Sequence, residues 1–174
     1  MKGLIHMYEG NGKGKTTAAV GLAVRCAGCG FPVVYAQFLK DGSSGEIAVL
    51  ERIPEITVKV CTTSFGFTFR MDEETKLRAK KAYEDLFLQA AESAKAQSCR
   101  LLVLDEVLDA CNRGLLDPAL VLGFLNERPK ELEVVLTGRE PGMEFKELAD
   151  YITVMKKERH PFEKGIPARK GIEM

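Results

Sequence analysis

The chain has 174 residues, the length of one domain, and 45% of them are hydrophobic. Its 25 basic and 25 acidic side chains give a formal net charge of zero, which argues against a partner that is nucleic acid or an anionic membrane. The first apolar run is too short for a signal peptide or a membrane span, and five scattered cysteines suit a reducing compartment. We therefore expect a globular cytoplasmic protein without a nucleic-acid or membrane partner.

Short apolar runs alternate with amphipathic stretches along the whole chain. Runs rich in Val, Ile and Leu predict strands at residues 3–8, 32–39, 56–61, 101–107, 133–138 and 151–156. Apolar residues at helical spacing predict helices at residues 15–28, 45–52, 73–97, 117–126 and 143–150. This alternation predicts an α/β fold, a single-domain three-layer αβα arrangement around a mostly parallel six-stranded sheet.

The end of the chain differs in composition from the rest. Residues 1–157 contain all the predicted elements and would form the core of the domain. Residues 158–174 contain prolines, glycines and scattered charges, which predict no regular element. Such a tail is either disordered or a lid over the functional site.

A glycine-rich loop lies between the first predicted strand and the first predicted helix. Its glycines let backbone N–H groups turn inward, and the helix adds its positive end. Lys15 would then reach phosphate oxygens, and the Thr16 hydroxyl would bind Mg²⁺. Glu9 stands where the usual phosphate-loop pattern has glycine, which predicts a loop of different shape; the alternative is a simple linking turn. The predicted nucleotide-binding residues are Gly10, Asn11, Gly12, Lys13, Gly14, Lys15, Thr16 and Thr17.

Charged residues follow two of the later strands, and ligands of parallel sheets bind at the carboxyl ends of the strands. Asp105 and Glu106 end a buried apolar run, where carboxylates are costly unless they meet a cation. We therefore predict that both bind Mg²⁺ together with Thr16; a solvated turn is the alternative. Arg139 follows the fifth strand, and it either points into the same cleft or lies exposed in a turn.

Two further patterns allow more than one interpretation. Phe65, Phe67 and Phe69 alternate in SFGFTFR, which indicates either an edge strand with one buried face or a loop for a large, flat, apolar-faced partner. Cys26 and Cys29 form a C-x-x-C, but no second pair at zinc spacing accompanies them. We interpret these cysteines as small buried residues rather than a redox pair.

The motifs together closely resemble the ATP:corrinoid adenosyltransferases over nearly the whole chain. The resemblance is carried, in chain order, by GNGKGKTTAA, QFLK, GFTF, LDEV, NERP, TGREP, ELADYIT and HPFEKGIPARKGIE. It implies a RecA-like phosphate-loop core, a homodimer, and transfer of the 5′-deoxyadenosyl group of ATP to Co(I) of a corrinoid with release of triphosphate. The loop with Glu9 in place of glycine looks like the form that this family uses.

The resemblance also implies roles for individual residues. Lys15, Arg139, the loop amides and Mg²⁺ would stabilise the leaving triphosphate of a nucleotide that lies reversed along the loop. Phe67 and Phe69 would lie against the lower face of the corrin, so that a reduced flavoprotein can reduce four-coordinate Co(II). Phe69 stands where tryptophan is usual, and Arg169 where glutamine is common. The chain starts at its first strand, without the N-terminal extension that some members fold over the neighbouring subunit's site.

The same loop and carboxylates also fit other functions. A phosphate-loop ATPase or small-molecule kinase would use the same loop and carboxylates but would form ADP. A nucleic-acid motor with the same core would need a basic groove, which the zero net charge does not favour.

Overall fold

A computed structural model of the protein describes residues 2–66 and 71–173. Within these residues, strands and helices alternate as the sequence predicts. The strands are β1 (Ile5–Glu9), β2 (Val33–Gln37), β3 (Ile56–Val60), β4 (Leu101–Asp105), β5 (Glu133–Gly138) and β6 (Tyr151–Val154). The helices are α1 (Lys15–Ala27), α2 (Ile47–Leu50), α3 (Glu73–Ala96), α4 (Val107–Asn112), α5 (Pro118–Glu127) and α6 (Met143–Leu148).

The strands form one six-stranded sheet in the order β3-β2-β4-β5-β1-β6, and every described pair is parallel. This confirms the predicted α/β fold with a RecA-like core. The register brings the last residues of neighbouring strands side by side: Glu9 of β1 pairs with Gly138 of β5, and Gln37 of β2 pairs with Asp105 of β4. The carboxyl ends of these strands therefore share one edge of the sheet.

Helices cover both faces of the sheet, which explains why β2 and β4 are apolar on both sides and fully buried. Helix α1 packs its Ala19 and Ala23 against one face, where Val103 and Val135 belong to the same core. Helices α3 to α6 cover the other face. Asp72 is the N-cap residue of helix α3. Its side chain accepts a hydrogen bond of 2.8 Å from Thr75 N.

The prediction of a strand over residues 101–107 is wrong at its end. Strand β4 stops at Asp105, because Glu106 adopts a left-handed backbone conformation with φ of 63°. The chain then enters α4, a helix that the sequence analysis did not predict. Val107 and Leu108 of this helix are buried in the core, so their apolar character reflects helix packing rather than a longer strand.

The aromatic segment has no strand among its described residues. Residues 61–66 have no regular structure, and Phe65 packs against Tyr83 of α3 with ring centroids 6.0 Å apart. Phe67 and Phe69 lie outside the described residues. Phe65 is thus a packing residue of the core, whereas the predicted roles of the other two phenylalanines stay predictions.

The last part of the chain is mostly exposed. All residues of the edge strand β6 are exposed, including Tyr151, Ile152 and Val154. The prediction that the tail has no regular element is wrong in one segment, because Pro161–Lys164 forms one turn of 3-10 helix, with the His160 side chain accepting a bond from Phe162 N. No helix in the described ranges is long and apolar enough to span a membrane.

Candidate active site

The glycine loop connects β1 to α1 at the carboxyl edge of the sheet. Gly10 and Gly14 have φ of 113° and 118°, a region that favours glycine. Lys15 begins α1 and is buried, with its Nζ donating to Gly10 O at 2.7 Å and Gly12 O at 3.0 Å. The ammonium group therefore lies inside the loop. Burial and then the nearby Arg139 guanidinium lower the pKa of Lys15, whereas nearby carboxylates raise it.

The loop is held in place by the segment that follows β6. Gly12 N donates to Met155 O at 2.6 Å, and Lys157 N donates to the Asn11 side chain at 2.9 Å. A Cβ at Gly12 would lie 2.6 Å from Met155 O, and a Cβ at Gly10 would lie at the same distance from it. Glycine is required at both positions because the two backbones are in contact.

Glu9 has a role that explains why glycine is not needed before the loop. It ends β1 in a regular strand conformation, and its largely buried carboxylate lies 3.8 Å from Lys146 Nζ of α6. The glycine loop therefore starts at Gly10, one residue after the position where the usual phosphate-loop pattern has its first glycine.

Asp105 is the most buried charged group of the site, with no exposed surface. Its Oδ1 accepts a hydrogen bond of 2.8 Å from Thr137 Oγ1. Its Oδ2 accepts bonds from Gln37 Nε2 at 3.2 Å and from Thr16 Oγ1 at 3.3 Å. These donors come from β5, β2 and α1, so one carboxylate joins three elements and orients the Thr16 hydroxyl.

Glu106 follows directly and is the N-cap residue of α4. Its backbone N–H donates to Thr137 Oγ1 at 2.8 Å. Burial, followed by the Asp105 and Asp109 carboxylates, raises the pKa of Glu106, and Lys40 and Arg139 lower it. The site therefore has an excess of closely spaced carboxylates that a divalent cation would stabilise.

The oxygen donors fit Mg²⁺, which in nucleotide sites combines one or two carboxylates with substrate phosphates and waters. Thr16 and Glu106 offer a hydroxyl and a carboxylate, and Asp105 orients the hydroxyl. Gln37 Oε1 is buried and lacks a hydrogen-bond partner among the described residues, so it presents one more oxygen beside the carboxylates. No cluster of three or more His, Cys, Asp and Glu side chains suited to a metal occurs in residues 2–66 and 71–173.

Arg139 lies at the start of the loop after β5, where α4 holds it. Arg139 N donates to Asp109 Oδ2 at 2.8 Å, and its Nη1 lies 3.4 Å from Asp109 Oδ1. Asn112 Nδ2 donates to Arg139 O at 2.7 Å and to Glu140 O at 3.1 Å. The guanidinium is half exposed, and its charge helps to lower the pKa of Lys15, so its place in the cleft stays a prediction.

Other residues at this edge were not predicted from the sequence. Gln37 bridges Asp105 and Glu46, with its Nε2 2.9 Å from Glu46 Oε1. Lys40 Nζ lies 3.7 Å from Asp105 Oδ2 and 3.9 Å from Glu46 Oε1. The buried hydroxyl of Tyr35 has no hydrogen-bond partner within the described parts of the chain, and its pKa is raised by burial and by the Asp105 carboxylate. These groups extend the polar site from the glycine loop toward β2.

The remaining predicted residues lie at the rim of this site. Lys13 is half exposed and lies 3.9 Å from Glu173 of the tail, and Thr17 is exposed on the first turn of α1. Cys26 lies in the last turn of α1 and Cys29 just beyond it, far from the glycine loop, and both are free thiols. The interpretation of both as buried residues is wrong, because Cys29 is exposed and Cys26 is only partly buried. Burial raises the pKa of the Cys26 thiol, which disfavours its reactive thiolate form.

Comparison with known proteins finds matches to one family over the full length of the chain. The model of the family described as ATP:corrinoid adenosyltransferase BtuR/CobO/CobP matches residues 1–174. A corrinoid adenosyltransferase of Pseudomonas aeruginosa is 37% identical over 175 residues, which cover 99% of this chain and 84% of that protein. Those of a Sinorhizobium species and Escherichia coli K12 are 35% and 34% identical, again over 99% of this chain and over 80% and 86% of theirs.

The fold and the site define a RecA-like α/β protein with a glycine loop at the carboxyl edge of its sheet. The matches narrow this class to a single family. The chain belongs to the ATP:corrinoid adenosyltransferases.

The contact between the glycine loop and the segment that follows β6 predicts that substitutions of two glycines change the thermal stability in opposite directions. Gly12→Ala places a methyl group against Met155 O, so we expect a lower melting temperature and at least tenfold weaker ATP binding. Gly21→Ala meets no atom within 4 Å in α1 and should stabilise the fold by about 1 kcal/mol. That gain corresponds to a melting temperature roughly 2–4 °C higher, with unchanged ATP affinity. Thermal unfolding and calorimetric titration measure both; equal ATP affinity in the two variants contradicts the role of the contact.

Proposed function

We propose that the protein transfers the 5′-deoxyadenosyl group of ATP to Co(I) of a corrinoid such as cobalamin or cobinamide, forming the Co–C bond and releasing triphosphate. One observation carries the proposal beyond family membership: Lys15, Thr16, Glu106 and Arg139 lie at one edge of the sheet, around the glycine loop. This arrangement suits a reaction in which a whole triphosphate chain must be held while it leaves.

The chemistry needs no general base. The electron pair of Co(I) attacks the ribose C5′ of ATP, the Co–C bond forms, and the C5′–O bond breaks. The bonding electrons leave with the triphosphate, so no proton has to be removed from the nucleophile. Charge therefore accumulates on the leaving group, and positive groups near its oxygens lower the barrier.

The chain offers two such groups in fixed positions. Lys15 is buried and already surrounded by loop oxygens, so phosphate oxygens would replace the carbonyls of Gly10 and Gly12 as its partners. Arg139 is held by Asp109, whose carboxylate accepts from both its backbone and its side chain. Because both positions are set before the ligand binds, little reorganisation is needed when charge develops.

A magnesium ion would be held by Thr16 and Glu106, with Asp105 orienting the Thr16 hydroxyl. When bound, Mg²⁺ supplies electrostatic neutralisation of the triphosphate. The loop amides of residues 10–17 would contribute N–H donors to the same oxygens. In this proposal ATP lies reversed along the loop, so that C5′ faces the corrin.

The aromatic segment would bind the corrin. In this proposal Phe67 and Phe69 lie against its lower face and expel the axial ligand, so that a reduced flavoprotein can reduce four-coordinate Co(II). Support comes from the family resemblance and from Phe65, which anchors the start of this segment to α3 on the ligand side of the sheet.

We also propose a homodimer and a lid. The edge strand β6 exposes Tyr151, Ile152 and Val154, a surface that pairing with a second copy would cover. Residues 158–174 would close over the nucleotide, and the ion pair of Lys13 with Glu173 supports this because it links the tail to the loop. The free thiols of all five cysteines are consistent with a cytoplasmic location.

A phosphate-loop ATPase or small-molecule kinase is the alternative function, and the products distinguish it. Incubation of the protein with ATP, Mg²⁺ and chemically reduced Co(I) corrinoid should yield the spectrum of an alkylated corrinoid and one triphosphate per corrinoid. A reaction without corrinoid is the control. ADP and orthophosphate as the only nucleotide products would contradict adenosyl transfer and support hydrolysis.

Removal of the loop lysine tests the triphosphate site. Lys15→Ala deletes the buried ammonium group that lies inside the loop, so we expect turnover with Co(I) to fall at least about a hundredfold. Lys80→Ala is a matched control, because Lys80 lies on α3 and its side chain is partly exposed beside Glu84. A Lys15→Ala enzyme with the turnover of the control would disprove the assignment.

The aromatic role predicts a difference between two starting oxidation states. Phe67→Ala should retain more activity with pre-reduced Co(I) than with Co(II) and a flavoprotein reductant, because only the second reaction requires loss of the axial ligand. Leu88→Ala, at a half-exposed position on α3, is the control. Equal losses in the two assays would refute the proposed role.

Sedimentation equilibrium tests the homodimer. We expect the mass of two chains for the unaltered protein and the mass of one chain for Ile152→Lys, which places a charge on the exposed edge. A single-chain mass for the unaltered protein contradicts the proposal.

A further inference from the structure

Thr137 lies in the centre of the candidate site but has no place in the reaction proposed above. It is near the end of β5, the strand between β4 and β1, and it has no exposed surface. Its hydroxyl donates to Asp105 Oδ1 and accepts from Glu106 N, and both distances are 2.8 Å. One hydroxyl therefore contacts Asp105, the last residue of β4, and Glu106, which follows it.

The direction of these two hydrogen bonds is fixed. A backbone N–H can only donate, so the Thr137 oxygen accepts from Glu106, and its single proton goes to the Asp105 carboxylate. The other oxygen of the same carboxylate, Oδ2, accepts a hydrogen bond from Thr16 Oγ1. The hydroxyl thus stands at one end of a chain of hydrogen bonds that runs from β5 through Asp105 to the first turn of α1.

The bond to Glu106 acts on a residue in an uncommon conformation. Glu106 has φ of 63°, which few residues other than glycine adopt, and it changes the direction of the chain between β4 and α4. Its N–H is bound to the Thr137 hydroxyl and not to the backbone of a neighbouring strand. Without this acceptor, the partly buried N–H would lose its partner and the peptide its fixed orientation.

We propose that Thr137 is a positioning residue that sets the Asp105 carboxylate and the Glu106 peptide for binding of a magnesium-bound triphosphate. It acts through these two residues and contacts no substrate itself. This inference rests on the proposed function for its ligand, a nucleoside triphosphate with a divalent cation. It does not depend on transfer of the adenosyl group.

A purely structural role would give a different dependence of nucleotide binding on Mg²⁺. If Thr137 only stabilised the junction of β4 and β5, its loss would lower the melting temperature and weaken nucleotide binding equally with and without Mg²⁺. A positioning role instead weakens the contribution of Mg²⁺ to binding, because Thr16 and Glu106 are the residues affected. The ratio of ATP affinities with Mg²⁺ and with EDTA separates the two.

The test compares Thr137→Val, which keeps the shape and strand preference, with Thr137→Ser, which keeps the hydroxyl. We expect Thr137→Val to weaken ATP binding with Mg²⁺ about tenfold and binding with EDTA less than about twofold, since it removes the hydrogen bond to the Asp105 carboxylate and the acceptor of Glu106 N. Thr137→Ser should restore wild-type values within about twofold. Thr57→Val is the matched control. Thr57 lies on β3, and the substitution removes a threonine hydroxyl that donates a hydrogen bond of 3.1 Å to Gln97 Oε1.

Several outcomes would overturn the inference. These are an unchanged Mg²⁺ dependence in Thr137→Val, an equal loss with and without Mg²⁺, or failure of Thr137→Ser to restore binding. If Thr137→Val lacks the wild-type circular dichroism spectrum, Thr137→Ala is measured with the same expectation. A wild-type protein that binds magnesium-ATP but forms no alkylated corrinoid contradicts the proposed function and leaves this test intact.

Discussion

The buried carboxylate of Asp105 is the group on which the site depends. A charge without exposed surface is stable only when donors surround it, and here Thr16, Gln37 and Thr137 provide them. Each donor belongs to a different element, so satisfying one charge fixes the first helix relative to two neighbouring strands. The hydrogen bonds that satisfy this buried charge thereby also fix the geometry of the candidate site.

Much of the fold follows from local patterns in the chain. Apolar runs of strand length alternate with helical stripes, and crossover connections between parallel strands bring their carboxyl ends to one edge. This rule predicts that Lys15, Thr16, Asp105 and Arg139 lie at one edge of the sheet. Applied to the last residues of the fifth run, it would also have indicated Thr137, a polar side chain at the end of an apolar strand.

Other parts of the site had no local signal. Glu106 in its left-handed conformation donates its N–H to an acceptor that lies 31 residues away in sequence, on β5. Helix α4 is only six residues long and follows the strand without a break, so its apolar residues continue the pattern of β4. Asp109 was missed for this reason, because its contact with Arg139 exists only once that short helix has formed.

The glycine loop and the backbone that supports it are far apart in the sequence, by 146 residues for Asn11 and Lys157. Gly12 and Asn11 bond to residues 155 and 157, and β1 lies between β5 and β6 in the sheet. During synthesis on the ribosome, the first strand is therefore made long before either of its neighbours. The nascent chain cannot assemble this loop in its final form until residue 157 has emerged from the exit tunnel.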